Sequence, residues 1–300
     1  MGTRGSALAL AQSRQVAREL ERLHPGLEVR ERIIRTTGDR QQGAPLPEIG
    51  GKGVFTLEIE QALLCGEIDF AVHSLKDLPP LFPAGLCLGA VPPRENAGDC
   101  VILHPRYSTA SLDELPTGAR VGTSSLRRAA QLKYLRPDLQ IESVRGNIDT
   151  RLKKLETEDF DAIVLARAGL NRLGISPPLA FDCDQSTFIP APGQGALAIE
   201  ARSDDEHTLQ VLWALEHALT RREIEAERSV MEALGAGCST PLGARAVADE
   251  STLTLHAVVL SPDGARRIFA QAQSTLEAAS ELGNRVAAQL KEQGADELMP

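Results

Sequence analysis

Apolar positions along the first two-thirds of the chain follow two alternating rhythms, one helical and one of short buried strands. Leu8, Ala9, Val16, Leu20 and Leu23 recur at helical spacing behind Ser6, which is placed to cap the helix, and Pro25-Gly26 ends it. Val29 to Ile34 predicts a strand. Gly50-Gly51-Lys52-Gly53 then opens a helix with Phe55, Ile59, Ala62 and Leu63 on one face and Gly66 behind it. Continuous apolar runs at Phe70–Val72 and Leu86–Val91 predict buried strands. Further strands are expected at Asp99–Leu103, Ala119–Val121, Gln140–Val144 and Ala162–Ala166, with helices at Leu126–Leu135 and Thr150–Leu155. A turn-rich crossing, Phe188–Gly195, leads to the strand Ala196–Glu200. This alternation predicts α/β lobes with largely parallel sheets.

From about Thr220 the rhythm changes. A helix to Leu234 precedes the loop Gly235–Pro241. Strands at Leu253–Leu260 and Arg267–Ala270 are joined by Ser261-Pro262-Asp263-Gly264, a turn sequence, and a helix from Leu276 to Lys291 follows. The expected organisation is one lobe from residues 1–94 and 196–216, a second from 99–191, and a small α+β domain over 219–300. Two α/β lobes with punctuated crossings imply a cleft, and pockets commonly form at such junctions.

Composition narrows the function. With 32 basic and 41 acidic residues the net charge is −9, which argues against nucleic acid as the main partner. Aromatics at 3% leave few stacking platforms for single strands. No run approaches the ~18 apolar residues of a membrane span. The stretch Ala7–Ala11 is shorter than the roughly 7–15 apolar residues of a signal peptide, so a cytoplasmic protein is expected. Five cysteines, widely spaced and without C-x-x-C, predict neither disulfides nor a zinc site. Cys65, Cys87 and Cys100 read as buried small hydrophobes, and Cys183, between two aspartates, as a protonated thiol. Of the basic residues only Lys52, Lys76, Lys133, Lys153, Lys154 and Lys291 are lysine; the rest are arginine, whose planar fork suits carboxylate and phosphate.

Position tells more than the count. Thr123-Ser124-Ser125-Leu126-Arg127-Arg128 follows a strand and opens a helix, an arrangement that favours an anion. Cations are unfavourable at a helix N-terminus, so Arg127 and Arg128 are expected to answer an external anion there. Arg145-Gly146-Asn147 with Arg151, Arg4 with Ser6, and Lys52 in its glycine loop repeat the pattern, which points to a multi-anion cleft. In His73-Ser74-Leu75-Lys76-Asp77-Leu78-Pro79, Asp77 reads either as a proton carrier or as a turn carboxylate paired with Lys76. His73 reads as a hydrogen-bonded structural residue. Cys238, in a glycine- and hydroxyl-flanked loop, reads either as a nucleophile or attachment point or as a plain surface thiol.

Together these segments, with Thr3-Arg4-Gly5-Ser6, Gly53-Val54-Phe55, Ala168-Gly169-Leu170 with Arg172, Pro190-Ala191-Pro192-Gly193-Gln194-Gly195 and Gly237-Cys238, resemble the porphobilinogen deaminase (hydroxymethylbilane synthase) family almost end to end. The resemblance implies two lobes like those of periplasmic binding proteins around a cleft, plus a C-terminal domain carrying the cofactor. It implies a dipyrromethane held through a thioether by Cys238. Four porphobilinogen molecules would be joined with loss of ammonia, and hydroxymethylbilane released for uroporphyrinogen-III synthase in tetrapyrrole and haem biosynthesis.

Asp77 matches the family's catalytic aspartate. In unit with it, Arg4, Ser6, Lys52 and Lys76 would bind pyrrole carboxylates. Thr123, Ser124, Ser125, Arg127 and Arg128 would do so in the second lobe, as would Arg145, Gly146, Arg151 and Arg172. A monomer without metal, membrane or nucleic-acid partner is implied.

The chain departs from the family at Glu48 and Leu57, where lysines are frequent. Only Met1 and Gly2 precede Thr3, where the family usually has a strand, so a chain extended upstream is expected to be more stable and more active. The competing readings are a non-catalytic two-lobed anion-binding protein, which gives Cys238 no role, and an inactive homologue lacking the first strand.

Overall fold

The structure, a computed structural model, describes residues 1–40, 56–108, 111–237 and 240–299, with backbone alone for residues 39 and 40. In chain order the elements begin with β1 (Gly2–Thr3), α1 (Ala7–Leu23), β2 (Arg32–Ile33), α2 (Thr37–Arg40), α3 (Leu57–Leu64), β3 (Phe70–Ser74) and β4 (Leu86–Ala90). There follow β5 (Asp99–Leu103), β6 (Arg120–Gly122), α4 (Leu126–Leu135), β7 (Gln140–Glu142), α5 (Ile148–Thr157), β8 (Ala162–Ala166), α6 (Arg167–Leu173) and β9 (Ala180–Asp182). The last are β10 (Leu197–Arg202), α7 (Glu206–Trp213), α8 (Ala218–Ala233), β11 (Leu242–Ala248), β12 (Thr252–Leu260), β13 (Arg267–Thr275) and α9 (Ala279–Glu292). No described helix is long and apolar enough to cross a membrane.

The chain divides into two compact units, residues 1–95 with 195–221 and residues 96–194 with 222–300. The first holds a sheet of order β2-β1-β3-β10-β4, in which β1 is parallel to β2 and β3 while β10 is antiparallel to β3 and β4. The second holds a sheet of order β7-β6-β8-β5-β9, in which β6 is parallel to β7 and β8 while β5 is antiparallel to β8 and β9. Each sheet thus runs parallel over three strands and admits one antiparallel strand in fourth place. This repeated order is the architecture of two related α/β lobes.

Strands buried on both faces read as continuous apolar runs. On β3, Phe70 and Val72 pack with Val16 and Leu20 of α1 and Leu212 of α7, while Ala71 between them packs with Ile59 and Leu63 of α3. On β8, Val164 meets Leu132 of α4, and Ile163 and Leu165 meet Leu155 of α5. The strand expected over residues 29–34 contracts to Arg32–Ile33, because it is an exposed sheet edge with one neighbour. At the start of the described chain Gly2 and Thr3 form β1, paired on both sides, and the Met1 ammonium donates to the Arg30 carbonyl at 2.9 Å.

Of residues 219–300, expected as a separate domain, those from 222 onward lie in the second unit and carry an antiparallel sheet β11-β12-β13 with a core of its own. Leu253, Leu255, Ala257 and Val259 face that core with Val230 of α8 and Val286 of α9. Val258 and Leu260, on the opposite face, join Ala130 of α4 and Ile189. The Ser261–Gly264 turn closes with Gly264 N donating to Ser261 O at 2.9 Å. Gly264 has φ +75°, and a Cβ there would lie 2.6 Å from the Ala130 carbonyl oxygen, so only glycine lets this turn rest on α4.

Candidate functional site

In the first unit, β3 delivers its last residues to a polar cluster. A 3₁₀ turn, Leu75–Asp77, follows Ser74 directly, and Leu78 N donates back to Leu75 O at 3.0 Å. Leu75 and Leu78 are buried and anchor the turn, which leaves Asp77 exposed between them. Leu78 has the extended backbone that a following proline requires (ψ 141°). The carboxylate is therefore presented to solvent on a fixed base. Lys76 beside it is half-buried.

The start of α1 is built from the same unit. The Ser6 hydroxyl accepts from Ala9 N at 3.3 Å as the helix cap, and Arg4, half-buried, stands between it and β1. Gln12 and Ser74 bond to each other, with Gln12 Nε2 donating to Ser74 Oγ at 3.0 Å. Ser13 Oγ donates to Thr3 Oγ1 at 2.7 Å. Sequence reasoning missed Gln12. The signal was present, because Gln12 continues the buried stripe of Val16 and Leu20 at four-residue spacing.

In the second unit, the turn after β6 forms a chain of hydroxyls. Thr123 Oγ1 accepts from Ser125 N at 3.2 Å, and Ser125 Oγ caps α4 by accepting from Arg128 N at 3.4 Å. Ser124 Oγ donates to the Val144 carbonyl at 2.7 Å. Ser124, Ser125, Ser143 and Arg145 line a pocket of about 580 Å³, with Lys133 and Asp263 on its walls. The Lys133 ammonium is bound to the Leu139 carbonyl at 2.5 Å. Gly146 has φ +110°, and a Cβ there would sit 2.7 Å from the Thr150 side chain; Arg151 Nε reaches back to the Gly146 carbonyl at 2.7 Å. Arg145, Arg151 and Arg172 are all half-buried.

Arg127 and Arg128 do not stand open to an incoming anion. Both are buried against Asp99, the first residue of β5, which has no exposed surface. Arg127 Nη1 donates to Asp99 Oδ2 at 2.7 Å and to the Ile189 carbonyl at 2.8 Å. Arg128 Nε donates to Asp99 Oδ1 at 2.8 Å, and Gln194 Nε2 donates to the same oxygen at 2.9 Å and to the Ala97 carbonyl at 2.7 Å. The two arginines do require an anion, as their helix position predicts, and the chain supplies it from within. Burial by itself would raise the Asp99 pKa, but the two guanidiniums outweigh it and hold the carboxyl well below its usual range.

This network continues into the C-terminal sheet. Glu227 of α8, fully buried, accepts from Gly193 N at 2.6 Å and from Ala246 N of β11 at 2.8 Å. After α8, Gly237 N donates to Thr240 Oγ1 at 3.3 Å, and Thr240 N donates to Gly237 O at 3.0 Å. Cys238 falls between these two and lies outside the described residues, as do Glu48 and Lys52 with its glycine loop.

Comparison with known proteins decides the family. The family model described as "Porphobilinogen deaminase, dipyromethane cofactor binding domain" matches residues 1–210, and "Porphobilinogen deaminase, C-terminal domain" matches residues 221–292. The chain belongs to the porphobilinogen deaminase family. The porphobilinogen deaminase of Desulforudis audaxviator is 48% identical over 299 residues, covering 100% of this chain and 96% of that protein. That of Syntrophobacter fumaroxidans is 45% identical over 299 residues with the same coverage. That of Sorangium cellulosum is 50% identical over 266 residues, 89% of this chain and 88% of its own length.

In this porphobilinogen deaminase family member the remaining residues singled out in the sequence agree with their expectations only in part. Leu57, at a frequent lysine position, is 52% exposed on the first turn of α3. Cys65 is exposed rather than buried, because it caps α3 beyond the last core residue, Leu63. Cys87 is half-buried and Cys100 buried. Burial, then the Asp99 charge, pushes the Cys183 thiol up to about 12; the flanking aspartates are not the leading cause. His73 approaches Glu200 at 3.0 Å but makes no aligned hydrogen bond through that ring nitrogen.

Proposed function

We propose that the chain is a hydroxymethylbilane synthase, joining four porphobilinogen molecules head to tail and releasing hydroxymethylbilane. The observation that carries this reading is Asp77, exposed on a turn held by two buried leucines in a chain of this family. At each addition the aminomethyl C–N bond of porphobilinogen breaks and the nitrogen leaves as ammonia. The methylene carbon, now electron-poor, bonds to the free α-carbon of the neighbouring ring, which then loses its proton. A carboxylate beside the pyrrole N–H stabilises the positive charge where it develops, and Asp77 fills this role and carries the departing proton.

Cys238 would hold a dipyrromethane through a thioether, and that group would supply the free ring carbon for the first addition. The charge of that group lies in carboxylates, and Ser124, Ser125, Ser143 and Arg145 offer hydroxyls and a guanidinium to them in the 580 Å³ pocket, which Glu142 and Asp263 also line. Ser124, Ser125, Arg145, Gly146, Arg151 and Arg172 bind carboxylates in the second unit, with Thr123 shaping the turn. In the first unit Arg4, Ser6, Lys52 and Lys76 do so. Arg127 and Arg128 act by fixing this turn through Asp99 rather than as direct ligands. The enzyme works as a cytoplasmic monomer, and its product passes to uroporphyrinogen-III synthase.

The test is stoichiometric. Protein incubated with porphobilinogen is expected to release one ammonia for each porphobilinogen consumed and one hydroxymethylbilane for every four. Binding of porphobilinogen without ammonia release would instead identify an anion-binding protein without this chemistry.

A further inference from the structure

The proposed chemistry does not use Glu200, the most deeply buried acidic side chain among the described residues of the first unit. Glu200 lies in the middle of β10 with no exposed surface, and its Oε2 lies 3.0 Å from Nε2 of His73, which is 7% exposed. Neither oxygen of Glu200, nor that ring nitrogen, has a hydrogen-bond partner. Buried polar atoms without partners are rare in native structures, and each asks for an explanation.

The register supplies one. On the β3–β10 ladder Ala198 stands opposite His73 and Glu200 opposite Ala71, so His73 and Glu200 are diagonal neighbours on one face. That face also carries Ala71, packed against Ile59 and Leu63 of α3. On the other face the next residue, Ser74, is held by Gln12 of α1. One rung further Leu75 N donates to Ala196 O at 3.0 Å, and the turn bearing Asp77 begins.

The preceding run, Phe70-Ala71-Val72, is apolar on both faces, so no alternation of polar and apolar side chains marks its register. A slip of one residue would turn every side chain to the opposite face. A buried pair of polar side chains 3.0 Å apart resists such a slip, because a misaligned strand leaves each group buried away from the other.

We propose that His73 and Glu200 are positioning residues that fix how β3 delivers Asp77. This rests on the reading of Asp77 as the catalytic carboxylate. Replacement of a buried pair by apolar side chains of similar size often leaves stability unchanged, so stability and positioning separate experimentally.

The test compares the full-length, cofactor-loaded enzyme with Glu200→Gln, with the double variant His73→Leu/Glu200→Leu, and with Asp77→Asn. Melting temperature, adduct mass, kcat and KM for porphobilinogen are read for each. The expected result is unchanged loading and, in the folded variants of the pair, kcat lower by at least about tenfold with KM within about twofold, the signature of a lost transition-state interaction. A double variant that melts like the parent and keeps its kcat overturns the proposal, as does a raised KM with kcat intact. If the double variant does not fold, Glu200→Gln decides by the same kcat and KM criteria. Loss of turnover in Asp77→Asn alone leaves the Asp77 reading standing and removes only the positioning role. Full turnover in Asp77→Asn removes the reading itself.

Discussion

Replacing Asp77 by asparagine is expected to lower kcat by about 10²–10⁴-fold, the range for a lost proton carrier or charge-stabilising group. The melting temperature should scarcely change. The side chain is exposed, and the turn beneath it is held by Leu75, Leu78 and backbone bonds that the substitution leaves intact. Substitutions at exposed positions away from caps and ion pairs usually shift stability by no more than about 0.5 kcal/mol. KM should change less than kcat, because the asparagine oxygen still accepts from a pyrrole N–H while the negative charge is gone. Steady-state kinetics beside a thermal melt check this. A kcat within about threefold of the parent would remove Asp77 from the chemistry.

Replacing Asp99 by asparagine is expected to produce the largest loss of stability. Two guanidiniums, from Arg127 and Arg128, would remain buried with their shared counter-ion removed. Breaking a buried pair in this way costs about 3–5 kcal/mol. For a unit of this size that lowers the melting temperature on the order of 10 °C.

The pH dependence has a definite sign. The folded-state pKa of Asp99 is depressed, so its contribution is fully present above the unfolded carboxyl value of about 4 and is lost as pH falls through the lower folded value. The gap between parent and variant should therefore be widest near neutral pH and narrow below about pH 4. Thermal unfolding over that range measures it. A gap that stays constant into acid would show that charge pairing is not the source.

Local signals in the sequence were sufficient for much of the fold. The helix at 126–135 and the strands at 99–103 and 162–166 coincide with their expected spans, each a strongly periodic or continuous apolar segment. The helix behind Ser6 is capped as expected. β11 carries a weak strand signal, because Leu242-Gly243-Ala244-Arg245-Ala246-Val247-Ala248 is mostly small side chains, with one β-branched residue and one charge. β9 is three residues at a sheet edge, and α6 and α7 span seven and eight residues, too short for a clear period.

Within the site, the hydroxyl caps were legible because a cap is made between near neighbours. Asp99 stands 28 residues from Arg127, and Gln12 stands 62 residues from Ser74. Partners at such separations are set by strand order, which a single sequence does not display. The two arginines therefore announced an anion without revealing that it was internal.

The most direct test of the account is the intact mass of the protein made in cells that produce porphobilinogen, read beside Cys238→Ser. The parent should be heavier than its sequence by two pyrrole units. Peptide mapping should place the addition on Cys238, and the variant should have its sequence mass. An unmodified parent, or the same addition on the variant, would contradict it.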